Sequence, residues 1–588
     1  MSLDKISPTV EDFRQTDWQS IICQSKERTC DAYYLLSRTK MSDAETSGNI
    51  GAQQVFGLLF HVCLVDLGLD TPNVPYGVDF TAAQLDTLQT ILPDIADAEL
   101  RARVADILWA QKHGDYRNAQ VAARAYLESA RILEDPTNWV GCAHRIERAL
   151  QIALQLGKKN ALYNDVISHI VATLDKYQGE EDPLFLSAHL MKLLLDAKEG
   201  DSSKYAALSE KAARLAESAS DNLKWHRART QWTVNARWNK ANCDEERGRQ
   251  ALIMAAETYV KEAEDVLQHR PQPYSGASYF IQHAIEAYRQ IEGTETRRGE
   301  LHKLLIGYQE KSVEEMRPYA YWSDISHLVD EAANLVKGKM FHEALVSLAL
   351  YPASPNVQML RKRVEDYSHK YGLTFWLSAS MLDKEGKTKG IRPGIGNADS
   401  EVVIHPEMLR EAQRMQGLLA EAIVFPAIMQ INAEHHFREA DFLPLVVDNP
   451  FVPRGREMLF ARGLCAGLNG DMLVASHILI PQLENSVRYI LEQQGHIVSG
   501  LDKDRIQDEY ALNKILYTYK VELQEILGSD LLFDLQGLLI ERFGSNLRNL
   551  VAHGLLDGSA FTSRQMVYLW WLILRLCCLP LCARAAPS

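Results

Sequence analysis

The sequence predicts a predominantly all-α protein: an N-terminal solenoid-like helical array, a small β-hairpin at a junction, and a C-terminal helical bundle. Three observations lead there. Apolar residues recur at i, i+3, i+4 and i+7 through most of the chain, the period of a helix with one buried stripe. Only around Gly372 does the pattern turn strand-like, with a glycine-containing turn behind it. Hydrophobic residues make up 46% and charged residues 24% of 588 positions, a globular composition that excludes a largely disordered chain and suits two or three domains.

Residues 1–371 form the first expected region. The text over 10–40 is mixed and helical, and a polar gap over 41–51 separates it from the next apolar run. From 81 to 371 amphipathic helices follow one another, for example over 100–112, 117–133, 142–156 and 250–267. Breaks fall at Asp135-Pro136, 179–183, Glu199-Gly200-Asp201, 268–275 and 293–298, where turn residues collect. Helix pairs with alanine-rich sides suggest an antiparallel array, without the strict period of a named repeat. Trp225, Trp232 and Trp238 have the spacing of inward positions on one helix, so core packing is expected of them rather than ligand stacking. No catalytic constellation stands out here. Partner binding, sensing of a trigger, or restraint of the C-terminal domain is the expected role.

Residues 372–404 are the expected hairpin and linker. The stretch 373–381 reads as a strand, 383–387 as a turn with a short return, and 386–400 as the domain junction. Gly394-Ile395-Gly396 is not a phosphate loop, because no Gly-Lys-Ser/Thr follows it.

Residues 405–588 form the third region. Helices are expected over 456–468, 472–494, 505–526, 530–543, a short motif segment, and 562–579, with Pro481 kinking or restarting the second. Glu434-His435-His436-Phe437-Arg438-Glu439 lacks the spacing that sets two imidazoles on one helical face, so no metal is expected. The final helix is apolar on all sides. Arg575 interrupts it and Pro580 closes it, short of the ~20 apolar residues a membrane span needs, so a bundle centre or dimer seam is expected and no membrane partner.

The net charge of −14 argues against a protein that coats nucleic acid through phosphate neutralisation. Chemistry on RNA would need a local basic cleft, for which Arg454, Arg456, Arg462, Arg488, Arg542, Arg548 and Arg564 are the candidates. Nine cysteines without paired spacing, and a start that lacks the charged-then-apolar pattern of a secretory leader, predict free thiols and a cytoplasmic location. Cys577, Cys578 and Cys582 read as buried small hydrophobes.

The stretch that carries chemistry is Gly544-Ser545-Asn546-Leu547-Arg548-Asn549-Leu550-Val551-Ala552-His553-Gly554. Ser545 or Asn546 is the expected N-cap, and Gly554 the stop. Asn549 and His553 are four apart and share a helical face, and the long stem of Arg548 brings its guanidinium over the same patch. A permanent cation, an amide and an imidazole suit phosphodiester cleavage by an RNA 2'-hydroxyl, which needs a proton carrier and a positive charge facing phosphorus. A second Arg-x4-His pattern, Arg297 to His302, lies among Glu292, Glu295 and Glu300 and reads as a solvated helix start. By contrast Arg548 and His553 sit between apolar segments, where polar side chains need partners or work. Upstream, Glu484, Arg488 and Glu492 recur every four residues. They form either a polar wall opposite the motif, with Glu484 orienting His553 or Arg548, or an outer row of i, i+4 ion pairs.

Arg548-Asn549-x-x-x-His553-Gly554 resembles the signature of a domain family of bacteria and eukaryotes that carries Arg-Asn-x-x-x-His-Gly. That signature is a form of the Arg-x4–6-His motif of the HEPN superfamily (higher eukaryotes and prokaryotes nucleotide-binding). Ile480-Pro481-Gln482-Leu483-Glu484-Asn485-Ser486-Val487-Arg488 is similar to the helix preceding the motif there, and the resemblance covers roughly 372–581. The helical half before it is similar to N-terminal regions of bacterial members. The resemblance implies a HEPN-like bundle, a homodimer through the C-terminal domain, and a metal-independent endoribonuclease without cofactor. Arg548, Asn549 and His553 would be catalytic, and on the polar-wall reading Glu484 and Arg488 support them. It also implies RNA as substrate, a role in defence against phage, and a protein trigger or inhibitor at the N-terminal helices. Other members act as scaffolds or RNA binders, which is the alternative reading.

Overall fold

A computed structural model of the chain describes all residues except 1–2, 66–78, 179–184, 317–323, 352, 371, 384, 395–399, 502–504 and 586–588. The protein is 75% helical, and among the described residues strands form two antiparallel two-stranded sheets. Two compact units divide the chain, Met1–Glu315 and Met316–Ser588.

In the first unit each helix packs largely on its neighbours in sequence. Ala98–Ala110 lies on Tyr116–Ile132 and that on Val140–Leu156; later Ser202–Ser218, Lys224–Ala241, Glu245–His269, Pro273–Arg289 and Glu295–Glu315 follow in turn. Buried alanines such as Ala119, Ala122, Ala123 and Ala256 let the helices approach closely. The apolar interior falls into one large cluster from Ile6 to Trp238 and two smaller ones further along the chain. Helix starts are set by oxygen side chains: Asp97, Asp115, Asn160, Asp201 and Asp244 each accept a first-turn N–H. Trp232 and Trp238 are core residues, while Trp225 is half-buried with its indole N–H on Asp265 at 2.5 Å. The gap expected over 41–51 narrows, because Cys30–Thr46 is one helix whose last turns are solvated. The expected break over 179–183 lies outside the described residues.

The second unit is built around its last helix, Arg564–Ala585. Tyr568, Trp571, Leu572 and Ile573 are fully buried, and both indoles find acceptors: Trp570 donates to the Leu464 carbonyl at 3.0 Å and Trp571 to that of Leu348 at 3.0 Å. Gly467 makes room for this, since a Cβ there would come within 2.1 Å of the Trp570 ring. The all-round apolar helix is therefore a bundle centre, with Cys577 and Cys578 buried in it, and among the described residues no helix is long and apolar enough to cross a membrane. The Trp571 bond also ties Phe341–Leu350 to this bundle. That is why the units divide upstream of Gly372, the position where the local pattern changes.

Several elements differ from expectation. The strand expected over 373–381 begins as a helical turn, Gly372–Trp376, which seats Phe375 among Leu360, Val364 and Met408. Only then does β1 (Ala379–Leu382) pair with β2 (Thr388–Arg392) around a turn in which Asp383 accepts the N–H groups of Glu385 and Lys387. Of Gly394-Ile395-Gly396, Ile395 and Gly396 lie outside the described residues. Pro481 does not restart its helix, which runs unbroken over Met472–Gln493 with the proline inside it. The helix expected over 505–526 is divided: β3 (Ser499–Leu501) pairs with β4 (Gln507–Glu509), and helices Leu512–Thr518 and Lys520–Leu527 follow. Helicity starts at Leu512, where the Glu484 carboxylate accepts the backbone N–H at 3.2 Å. The next helix, Ser529–Leu539, stops short of 543, and beyond it the chain turns back so tightly that Gly544 touches Gly537.

Candidate active site

The motif begins with a backbone device. A Cβ on Gly544 would lie 2.0 Å from the Gly537 carbonyl oxygen, so only glycine permits the turn. Ser545 then donates its N–H to that carbonyl at 2.9 Å, and its hydroxyl accepts from Gln413 at 3.2 Å. Asn546 follows at φ +52°, in the left-handed region that asparagine tolerates better than most residues. These ties aim the short helix Leu547–Ala552.

Neither Ser545 nor Asn546 caps that helix with its side chain in the way the sequence suggests. Asn546 holds the N-cap position, but its Oδ1 accepts from Asn549 Nδ2 at 2.7 Å. Asn549 Oδ1 in turn accepts from Arg548 Nη1 at 3.2 Å. On the opposite edge, Arg548 Nε donates to Glu484 Oε2 at 3.1 Å. The other Glu484 oxygen takes Arg488 Nη2 at 2.5 Å as well as the Leu512 N–H, and Arg488 Nε donates to the Tyr510 carbonyl at 3.0 Å. A nearly buried carboxylate is thus shared by two arginines and a helix start.

His553 is the first residue past the motif helix, where its N–H bonds the Asn549 carbonyl at 3.0 Å and Gly554 turns the chain at φ +64°. The four-residue spacing is preserved by that backbone bond. The imidazole is exposed, and among the described residues nothing hydrogen-bonds it. Arg548 Nη2 likewise has no partner among the described residues, and the side chain keeps 28% of its surface. The arginine is gripped at Nε and Nη1 and open at Nη2, and the histidine is presented to solvent.

Four of the five expected site residues, Glu484, Arg488, Arg548 and Asn549, are joined by hydrogen bonds, whereas His553 is joined to them through the backbone alone. Glu484 meets Arg548, not His553, and Glu492 is exposed outside the cluster. Of the other basic candidates, Arg462 pairs with Glu439 and Arg564 with Glu421, while Arg454, Arg456 and Arg542 are exposed. The second pattern behaves as a helix start: Arg297 pairs with Glu257 and Glu300, and His302 is exposed. Glu434 accepts the Gly338 N–H and His435 packs edge-on to Phe341, so each has a structural task. Asn546 was read only as a cap, not as a site residue; an asparagine two positions before Arg548, after Gly544-Ser545, was the signal.

A family model matches residues 4–165: a domain of unknown function, DUF7380. The match lies within the first unit and stops far short of the motif. It covers a buried charge network, in which Arg145 grips Glu99 and Arg148 grips Asp106. No curated protein matches the chain, and no solved structure does.

Proposed function

We propose that the second unit is a metal-independent endoribonuclease of the HEPN type, and that it works as a homodimer. The observation that supports this most is the partial grip on Arg548: Glu484 holds Nε and Asn549 holds Nη1, while Nη2 and the exposed His553 imidazole are left to meet a substrate.

In this reading the ribose 2'-oxygen attacks the adjacent phosphorus and loses its proton to a base. The bond to the 5'-oxygen breaks, and that oxygen leaves as a hydroxyl after receiving a proton. The products are a 2',3'-cyclic phosphate and a 5'-hydroxyl, with no net change in protons. His553 carries one proton transfer, and Arg548 Nη2 faces the non-bridging oxygens as charge builds on them. A second copy of His553, facing the first across a two-fold axis, supplies the other. The acidic chain restricts RNA to this local basic patch, and the first unit serves as sensor or restraint in defence against phage.

The alternative is a non-catalytic dimeric scaffold, favoured by the same carboxylate: Glu484 satisfies two guanidinium groups as a purely structural ion cluster would. One assay decides between them. Labelled RNA is incubated with the full chain in EDTA, beside His553→Ala and an RNA with 2'-deoxy at the cut site. The expected outcome is cleavage lowered about 10²–10⁴-fold by the alanine and absent on the deoxy substrate. Equal cleavage in either control removes the mechanism.

A further inference from the structure

We infer that Asn546 is a positioning residue of this site, acting on Arg548 through the side-chain amide of Asn549. The inference rests on the ribonuclease reading for its catalytic consequence, but the geometry stands without it.

The argument begins with which atoms can donate. A guanidinium only donates, so the atom Asn549 turns toward Arg548 Nη1 must be its oxygen, at 3.2 Å. Its amide nitrogen is then left facing the other way and needs an acceptor. Asn546 Oδ1 supplies one at 2.7 Å. The polarity of the whole row is therefore dictated from one end. An acceptor at 546 selects one of the two flip states of Asn549, and that state puts an acceptor on Arg548. Without the acceptor, Asn549 is free to flip, and its NH2 group would then face the cation.

Position 546 is also held by the backbone. Its left-handed conformation follows directly on the Gly544 turn, which is pinned by Ser545 N–H on the Gly537 carbonyl. The side-chain oxygen is consequently delivered from a fixed point tied to the preceding helix, not from the motif helix itself. Arg548 is held between that point and Glu484, which belongs to another helix again. Each edge of the guanidinium answers to a different element, which limits its rotation about the long side-chain axis. Few residues meet both requirements at 546: glycine takes the backbone and has no acceptor, aspartate tolerates the backbone and has one, and alanine does neither well.

The test uses these differences in the full-length protein. Asn546→Gly preserves the positive φ and removes the oxygen; Asn546→Asp restores an acceptor. With a fluorophore-labelled single-stranded RNA, Asn546→Gly is expected to lower kcat roughly ten- to a hundredfold, KM moving by less than about twofold, and Asn546→Asp to recover to within about fivefold of the parent. Parent-like kcat in the glycine variant, or an aspartate variant no better than glycine, overturns the inference. A parent protein that leaves RNA intact overturns the ribonuclease reading instead. The relay is then read without turnover, from the Asn549 side-chain amide in 15N-asparagine-labelled protein. Slow exchange with solvent in the parent and in Asn546→Asp, but fast exchange in Asn546→Gly, supports it. Equal exchange in all three overturns it.

Discussion

In the first unit Asp106 is fully buried, and Arg148 grips it with Nε at 2.8 Å and Nη2 at 2.9 Å while Tyr126 donates at 3.1 Å. In the second, Glu484 is nearly as buried, yet it divides its oxygens between Arg488 and Arg548, and Arg548 reaches the surface. The first pair matches fork to fork and leaves no guanidinium edge for anything else to approach from the carboxylate side. The second holds its arginine by a single Nε contact. The same residue types therefore make a sealed structural tie in one place and an aimed, accessible cation in the other. What separates them is how many donor atoms the carboxylate consumes.

The contrast is tested most severely at Arg148. Arg148→Met strands a carboxylate in the interior and should cost about 3–5 kcal/mol, read from the denaturant midpoint of the first unit. A loss below about 1 kcal/mol would mean that Asp106 is solvated, and the distinction would collapse.

Asp534 extends the comparison to a buried carboxylate held by neutral groups. It is 1% exposed and receives Tyr568 OH at 2.5 Å and Gln416 Nε2 at 2.7 Å, and the charge of Arg575 also favours its ionised form. Burial pushes its carboxyl up to about 6 from the ordinary 3.8, against the pull of those hydrogen bonds. For Glu99 burial pushes the same way, but the bonds and charge of Arg145 outweigh it and hold the carboxyl below its ordinary value. The folded form therefore binds the Asp534 proton more tightly than the unfolded chain, so its stabilising contribution is complete below pH 3.8 and lost as pH rises through about 6. The second unit should weaken by up to about 3 kcal/mol across that window, and Asp534→Asn should flatten the slope. An unchanged slope in that variant would assign the pH dependence to another group.

A smaller effect is expected at Arg548. Glu484 still has Arg488 and the Leu512 N–H, so Arg548→Met should cost less than about 1 kcal/mol while abolishing RNA cleavage. A stability loss as large as that of Arg148→Met would make the second cluster a structural tie like the first. Smallest of all, His302→Ala should leave both stability and cleavage unchanged, within about 0.5 kcal/mol, because this exposed histidine shares only the spacing of the motif.

Much of this was legible in the residues. The helices of the first unit follow from their periodicity, as does the inward placing of Trp232 and Trp238, because a buried stripe leaves a mark at fixed intervals. The Glu484 contact was legible as one of two options, since four-residue spacing identifies a face without saying what lies opposite. The short strands over 499–509 were not: they are mostly exposed, so no alternation marks them, and a helix read across them was equally consistent with the pattern. That Pro481 does not end its helix has a related reason. A lost hydrogen bond is a local cost, and packing of Ile480, Leu483 and Val487 on both sides of it outweighs the break.

By itself the sequence determined what is written at short range: the helical period, the breaks between helices, and the order of Arg548, Asn549 and His553. The tertiary structure alone decided which carboxylate meets which arginine, where Leu512 begins a helix, and that the last helix lies at a bundle centre. Those choices depend on which atoms remain without partners once distant segments have packed. An unsatisfied donor has no address until the fold brings an acceptor to it.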